Sequence, residues 1–297
     1  MFDPGPRNDS ATFDGASFDL DAYLRRIDYT GDRTATLQTL QAIAVRHPRS
    51  IPFESLDALL GVPIELDAPS LQRKLVRQRR GGWCFEQNLL LGHALTALGY
   101  RVTGLAARVA WQVPPGMIRP RTHMLLRIRL RSEAASAGQI GDEDYLVDVG
   151  FGGLTLTGVL RLVPDVEQRT PHEPFRLRAH TWGLAMEASV RGAWQPLYQF
   201  DLQPQALADY EATNWYLSNH PRSHFLTTLV AARAEPDRRY ALLNGELAVH
   251  HLHGPSERTV LGSASEVRRA LDELFQIDVP AGADVDAALE RLLPAHT

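Results

Sequence analysis

Residues 79 to 88 read RRGGWCFEQN, a stretch that joins a basic pair, two adjacent glycines and the only cysteine of the chain, Cys84. The glycines allow a sharp turn and a close approach of backbone to its neighbours. Behind them Leu91, Leu95 and Leu98 recur at helical spacing, which predicts a helix from about Cys84 to Leu98 closed by Gly99. Cys84 then stands in the first turn, where unpaired N–H groups and the positive end of the dipole favour a thiolate. A lone cysteine is just as often an inert buried thiol, and this stretch alone leaves the two readings about even.

Upstream, residues 1 to 17 are rich in Gly, Pro, Asp and Ser and read as a loose tail. Leu20, Tyr23, Leu24 and Ile27 mark a first helix, and Leu37, Leu40, Ile43 and Ala44 a second that Pro48 should stop. Ser70 is the expected cap of a third, basic helix running into Arg79 and Arg80. Beyond Tyr100 the texture changes to short strands, Arg101 to Trp111, His123 to Leu130 and Tyr145 to Val149, separated by VPPGMIRP and SEAASAGQIGDED. A largely antiparallel sheet or barrel should continue past Trp182 and Tyr198. The last hundred residues predict a helix near Ala206 to Tyr210, strands around Phe225 to Ala231 and Arg239 to Leu252, and two terminal helices. The first of these opens on a capping box, Ser263 with Glu266. The fold class is α+β: a tail (1–17), a helical unit carrying the cysteine (18–100), a β unit (101–200) and a mixed α/β unit (201–297).

The composition is that of an ordinary globular chain, with 44% hydrophobic and 22% charged residues among 297. A single cysteine excludes an intrachain disulfide and suits a reducing compartment. The start, MFDPGPRNDS, lacks the basic-then-apolar order of an export signal. The apolar run Leu89 to Leu98 is broken by Gly92 and His93 and too short to cross a bilayer. A cytoplasmic protein is expected. Net charge is −4 and Lys74 is the single lysine, so the basic side is arginine. Arg79 with Arg80, or Arg127, Arg129 and Arg131, could meet phosphate oxygens, but solvated faces are the favoured reading, and nucleic acid is not an expected partner. No phosphate loop or dinucleotide fingerprint occurs, and His250, His251 and His253 lack a cysteine or acidic partner at ligand spacing, so no metal is expected.

A thiolate nucleophile needs a proton partner, and histidine is the usual one near neutral pH. His123, in PRTHMLLRIRL, opens a strand just after a loop, where a rigid scaffold can aim its ring; on position alone a half-exposed strand histidine is the commoner case. Asp148, in YLVDVGFGG, is a carboxylate within an apolar strand, an expensive place for an unpaired charge. If strands 123–130 and 145–149 pair as a hairpin, His123 and Asp148 come close while the helix start packs against them. That meets the logic of nucleophile, base and orienter.

Taken together, IPFESLD (51–57), RRGGWCFEQN, ARVAW (107–111), PRTHMLL (120–126), VDVGFGG (147–153) and, more weakly, SNHPRSHF (218–225) make the sequence resemble the arylamine N-acetyltransferase family over nearly the whole chain after the tail. The resemblance implies a helical first domain, a central antiparallel β-barrel and a C-terminal α/β lid around a Cys-His-Asp core of the transglutaminase and papain kind. It also implies Cys84 as acyl-accepting nucleophile, His123 as its proton partner and Asp148 as the orienting carboxylate. Phe53 and Phe151, extended by Trp111 and Phe225, would line a pocket for a flat amine. Acetyl-CoA would be the co-substrate of a ping-pong transfer to arylamines or arylhydrazines, in a protein that handles foreign amines. Two features depart from the family pattern: the long tail, and the histidines of SNHPRSHF. Relatives of the family that close macrolactams as amide synthases, a thiol hydrolase on the same triad, and a binding module that keeps the motif by descent are the competing readings.

Overall fold

The computed structural model describes residues 12, 13, 15, 18–114, 116–131 and 142–293. The tail expectation therefore falls largely outside the described residues, as does most of the polar SEAASAGQIGDED segment. Of the tail, Phe13 is buried against Gly92 and sets its ring edge-on to His93.

The helical portion comprises α1 (Leu20–Arg26), α2 (Leu37–Ser50), α3 (Leu56–Leu59), α4 (Ala68–Leu71) with a π turn over Gln72–Arg77, and α5 (Cys84–Ala97). Every residue of α5 from Cys84 to Leu95 is buried, the polar Glu86, Gln87 and Asn88 with hydrogen-bond partners. Each of Leu89, Leu90, Leu91 and Leu95 contributes roughly 1.5–3 kcal/mol by leaving water. The helix starts and ends as the sequence indicates, with Gly99 taking the left-handed φ of +89° that stops it. Two expectations upstream fail. Pro48 does not end α2 but sits in its last turn, where a missing N–H costs a single bond, and the helix runs on to Ser50. Ser70 caps nothing: the α4 cap is Asp67, whose carboxylate accepts from Ser70 N at 2.9 Å, while the Ser70 hydroxyl donates to Glu65.

Eight strands form one antiparallel sheet: β2 (Arg101–Val109), β3 (Arg121–Arg131), β4 (Asp142–Val147), β5 (Leu160–Arg161), β6 (Glu167–Gln168), β7 (Phe175–His180), β8 (Gly183–Val190) and β9 (Ala193–Phe200), in the order β5-β4-β3-β2-β9-β8-β7-β6. The sheet curls into a nearly closed barrel. Its two edge strands are joined by a side chain, the Gln168 amide donating to Arg161 O and accepting from Arg161 N. The barrel core holds Leu105, Leu125, Leu146, Phe175, Leu177, Met186 and Tyr198. The alternate residues Val102, Met124, Leu126, Tyr145 and Val147 face the helices instead, so strands 2 to 4 are buried on both faces. The expected hairpin of β3 and β4 forms, with Leu126 opposite Val147. Strand limits differ by a few residues from the sequence reading. His123 is the third residue of β3, Asp148 follows the last residue of β4, and Trp111 and Trp182 lie in turns.

After α6 (Leu207–Asn219), which is longer than its apolar residues suggest, comes a second sheet of β10 (Val230–Glu235), β11 (Arg238–Leu243), β12 (Glu246–His251) and β13 (Ser256–Val260). The two-residue strand β1 (Phe53–Glu54) joins its edge. The stretch 225–231 is thus mostly not strand, Phe225 lying in a 3-10 turn, and 239–252 is two strands folded at Asn244-Gly245, where Asn244 has φ +54°. Helices α7 (Ala264–Glu273) and α8 (Ala283–Glu290) pack Val267, Leu271, Val285 and Leu289 against this sheet. Ser263 caps α7 as expected, but Glu266 reaches back to Gly262 N, one residue before the cap. Among the described residues no helix is long and apolar enough to cross a membrane.

Candidate active site

The start of α5 meets the ends of β3 and β4. Between Ala107 and Arg108 of β2 the β3 register slips, His123 facing Ala107 and Arg121 facing Arg108, so Thr122 is an extra, bulged residue. A bulge re-aims the side chains around it. Here Thr122 O lies 3.6 Å from the Cys84 sulfur, and His123 shares the barrel face of Leu125. Continuing the β3–β4 register past its last pair would set Asp148 opposite Leu125, so the carboxylate reaches His123 diagonally, within the span of such neighbours. The contact is short, His123 Nε2 to Asp148 Oδ2 at 2.7 Å, with both side chains buried. Cys84 lies near enough to the His123 ring to help hold its charge, while its thiol donates to Thr122 O. The three residues singled out in the sequence are therefore brought together.

Burial alone would lower the His123 pKa. The adjacent Asp148 carboxylate, its hydrogen bond and the contact with Cys84 outweigh that and push it up to about 10, so the ring is imidazolium at neutral pH. Asp148 is held below the usual carboxylate range despite burial, by His123 and by hydrogen bonds from Gly150 N and the Asn88 amide. Gly150 has no room for a side chain: a Cβ there would stand 2.7 Å from the Cys84 Cα. The N-cap position of α5 is Trp83, which offers no side-chain acceptor to the first-turn amides. Glu86 instead accepts from Trp83 N at 3.1 Å and bonds Lys74 through its other oxygen at 2.7 Å.

Several participants had no visible role in the sequence. Asn88 donates to Asp148 Oδ1, Cys84 O and Met124 O and accepts from Val149 N, tying helix, strand and turn together. Its only signal was its place one helical turn after Cys84. Tyr198, on β9, sets its ring 4.8 Å from that of His123; burial first, and then Asp148, keep its hydroxyl protonated. Nothing near position 198 in the chain foretells this.

Of the four aromatics, Phe151 meets the His123 ring edge-on at 5.1 Å, and Phe225 lies 5.2 Å from Trp83. Phe53 bridges to Gly82 and borders Gly152. Trp111 packs on the barrel core. His250 and His251 pair with Ser256 and Glu257, and no group able to hold a metal occurs among the described residues.

Residues 36–284, the stretch that carries this thiol, ring and carboxylate, match the model of a known family, N-acetyltransferase. The arylamine N-acetyltransferase of Mycolicibacterium smegmatis is 43% identical over 281 residues, 93% of this chain and 99% of that one. That of Escherichia coli K12 is 36% identical, covering 88% and 89%. The structure of Mycobacterium marinum arylamine N-acetyltransferase in complex with CoA superposes with a TM-score of 0.85 at 40% identity, covering 93% of this chain and all of that one. The chain belongs to the arylamine N-acetyltransferase family and is an acyltransferase.

Proposed function

We propose that the enzyme acetylates arylamines, arylhydrazines or related amines from acetyl-CoA in two half-reactions through an acyl-cysteine at Cys84, in the cytoplasm. The observation that carries this reading is Cys84 at the uncapped start of α5, in contact with a His123 ring locked to buried Asp148. In the first half-reaction the Cys84 thiolate attacks the thioester carbonyl. The tetrahedral oxyanion draws on first-turn amides of α5, and CoA leaves as its thiol with a proton from His123. In the second, the amine nitrogen attacks the acyl-cysteine, His123 takes its proton, and the thiolate is regenerated. Arylamines suit the site because they are unprotonated at neutral pH and ask for no strong base. Phe151 at His123, with Phe53 and Phe225 close to the α5 start, provides flat apolar surface for an aromatic ring, and Trp111 extends it from the barrel rim.

The unit boundaries near 100 and 200 belong to the same proposal. Three separate hydrophobic clusters support it, although α6 packs Tyr210 and Leu217 with the helical cluster and β1 pairs with the C-terminal sheet.

Mixed with acetyl-CoA and no amine, the protein should release one equivalent of free CoA and gain one acetyl group on Cys84, read by mass spectrometry of the peptide. Adding aniline should then give turnover with parallel double-reciprocal lines. Cys84→Ala should stay folded and do neither. Turnover by folded Cys84→Ala, or intersecting lines without an adduct, would overturn the mechanism.

A further inference from the structure

We infer that Arg239, on β11 of the C-terminal sheet, is a positioning residue for the reaction: through Thr155 it holds the turn that carries Asp148 and Phe151. This inference rests on the roles proposed above for Cys84, His123 and Asp148. Arg239 is 3% exposed and Thr155 5%. The guanidinium donates from Nη2 to Thr155 O at 3.1 Å, and it grips the Glu173 carboxylate with two bonds, Nε to Oε1 at 3.0 Å and Nη2 to Oε2 at 2.6 Å. Thr155 in turn closes the turn upon itself. Its hydroxyl donates to Asp148 O at 3.1 Å and accepts from Phe151 N at 3.3 Å, while its own N–H donates to Gly152 O. One buried threonine therefore bonds the backbone of both the orienting carboxylate and the aromatic that meets the His123 ring.

Beside it a second clasp joins the same two sheets. His172 donates from Nε2 to Glu235 O of β10 and accepts at Nδ1 from the Thr157 hydroxyl. The barrel segment 155–157 is thus fastened from the C-terminal sheet at two points. Only at Arg239 does the chain of bonds lead on through Thr155 to Asp148. The fork of donors matters, since Nη2 serves both Thr155 O and Glu173 Oε2 while Nε adds the bond to Oε1, a second point of attachment that the single nitrogen of a lysine lacks. A buried guanidinium also needs its counter-charge, which is why Glu173 belongs to the device.

Releasing the turn should let Asp148 drift from His123 by tenths of an ångström, weaken the imidazolium and move Phe151. The ionisable groups that face Cys84 and His123 are Asp148 beyond β4, Tyr198 of β9 and Tyr210 of α6; none of these is altered in the variants below. The test compares Arg239→Met, Thr155→Val and Thr155→Ser with the parent in two readouts: the pH midpoint of Cys84 alkylation by iodoacetamide, and KM for aniline with acetyl-CoA. A share of an effect commonly worth 1–3 units is at stake, so the midpoint should rise by about half a unit to one unit in Arg239→Met and Thr155→Val. KM should rise severalfold, and Thr155→Ser, which keeps the hydroxyl, should restore both. Because the two residues act in series, the double variant should shift no further than the larger single. General loosening of the fold would lower the unfolding midpoint without moving the alkylation profile of the folded enzyme. Folded Arg239→Met or Thr155→Val with the parent's profile and KM overturns the inference, and if Arg239→Met does not fold, Thr155→Val decides alone. A parent enzyme whose Cys84 fails to react would instead sink the underlying mechanism.

Discussion

At Asp148 three donors meet one carboxylate: His123 Nε2 at Oδ2, with Gly150 N and Asn88 Nδ2 at Oδ1. Each favours the ionised form, and together they overcome the burial that opposes it. Asp148→Asn keeps the shape and removes the charge, so burial becomes the leading influence on His123. The ring, now titrating near 10, should lose its proton at a much lower pH and be neutral where the parent is imidazolium. The His123 titration followed by NMR should fall by several units, and turnover should drop by about four orders of magnitude, as orienter losses do in comparable triads. A folded variant with an unmoved titration and turnover within about tenfold, ~1.4 kcal/mol in barrier terms, would make Asp148 a structural residue only. At this scale Cys84, His123 and Asp148 were legible because their residue types are chemically rare in those settings: one thiol behind two glycines, one ring at a strand start, one charge in an apolar run. Asn88 and Thr155 were not, since the Asn88 amide gains its role from Asp148, 60 residues away, and the Thr155 carbonyl from Arg239, 84 residues away.

The start of α5 rests on an ionic network that no periodicity announces. Arg80 bonds Glu54 and Asp57, Lys74 bonds Asp57 and Glu86, and Glu86 holds Trp83 N, all with little exposed side chain. Three carboxylates share two cations, so each cation matters to more than one partner. Burial raises the Glu86 carboxyl to about 7 even against the pull of Lys74. Lys74→Met would leave buried Glu86 without a cation and Asp57 with Arg80 alone, a change that costs about 3–5 kcal/mol where one partner of a buried pair is removed. The penalty should be smaller at pH 5 than at pH 8, because protonated Glu86 no longer needs the ammonium. Urea unfolding at the two pH values checks this; a loss below about 1 kcal/mol, the same at both, would show that the network contributes nothing beyond a surface pair. The helices themselves were readable from apolar spacing, and α5 and α7 begin where expected. The misplaced α4 cap and the run of α2 past Pro48 were not, because Asp67 and Ser70 are both good caps and a proline in a last turn is tolerated.

For the whole molecule, two buried histidines bracket stability from opposite sides. His47 is fully buried, accepts from Tyr23 OH and donates to Gln87 Oε1, and burial lowers its pKa to about 4. Between about 4 and the unfolded value near 6.5 the unfolded chain binds more protons, so stability is lost as pH falls through that window, by up to about 3 kcal/mol. His123 has the opposite sign. Its folded pKa near 10 lies above the unfolded value, so its contribution is complete below about 6.5 and is lost as pH rises toward 10. The two histidines alone would give a dome with its crest near 6.5; Glu86, raised to about 7, shares the sign of His123 between its unfolded value and about 7 and so makes the acid side of that dome shallower. His47→Gln should flatten the acid limb and leave the alkaline limb in place, whereas an acid limb identical to the parent's would assign acid loss to carboxylates such as Asp148 instead.

By itself the sequence settled what the backbone and local chemistry dictate: a helical beginning, a change to short strands after Tyr100, a buried helix opening on the lone thiol, and the family to which the motifs belong. Those features depend on periods of a few residues and on side-chain types, which are written locally. The tertiary structure alone decided that β1 leaves the helical part to edge the C-terminal sheet, that Gln168 nearly closes the barrel, and that the Thr122 bulge aims His123 at Cys84. It also decided that Arg239 reaches back to the turn of Asp148. Each of these is a pairing across a long stretch of chain, set by which buried donor finds an acceptor once the cores have formed, and no local pattern carries that information.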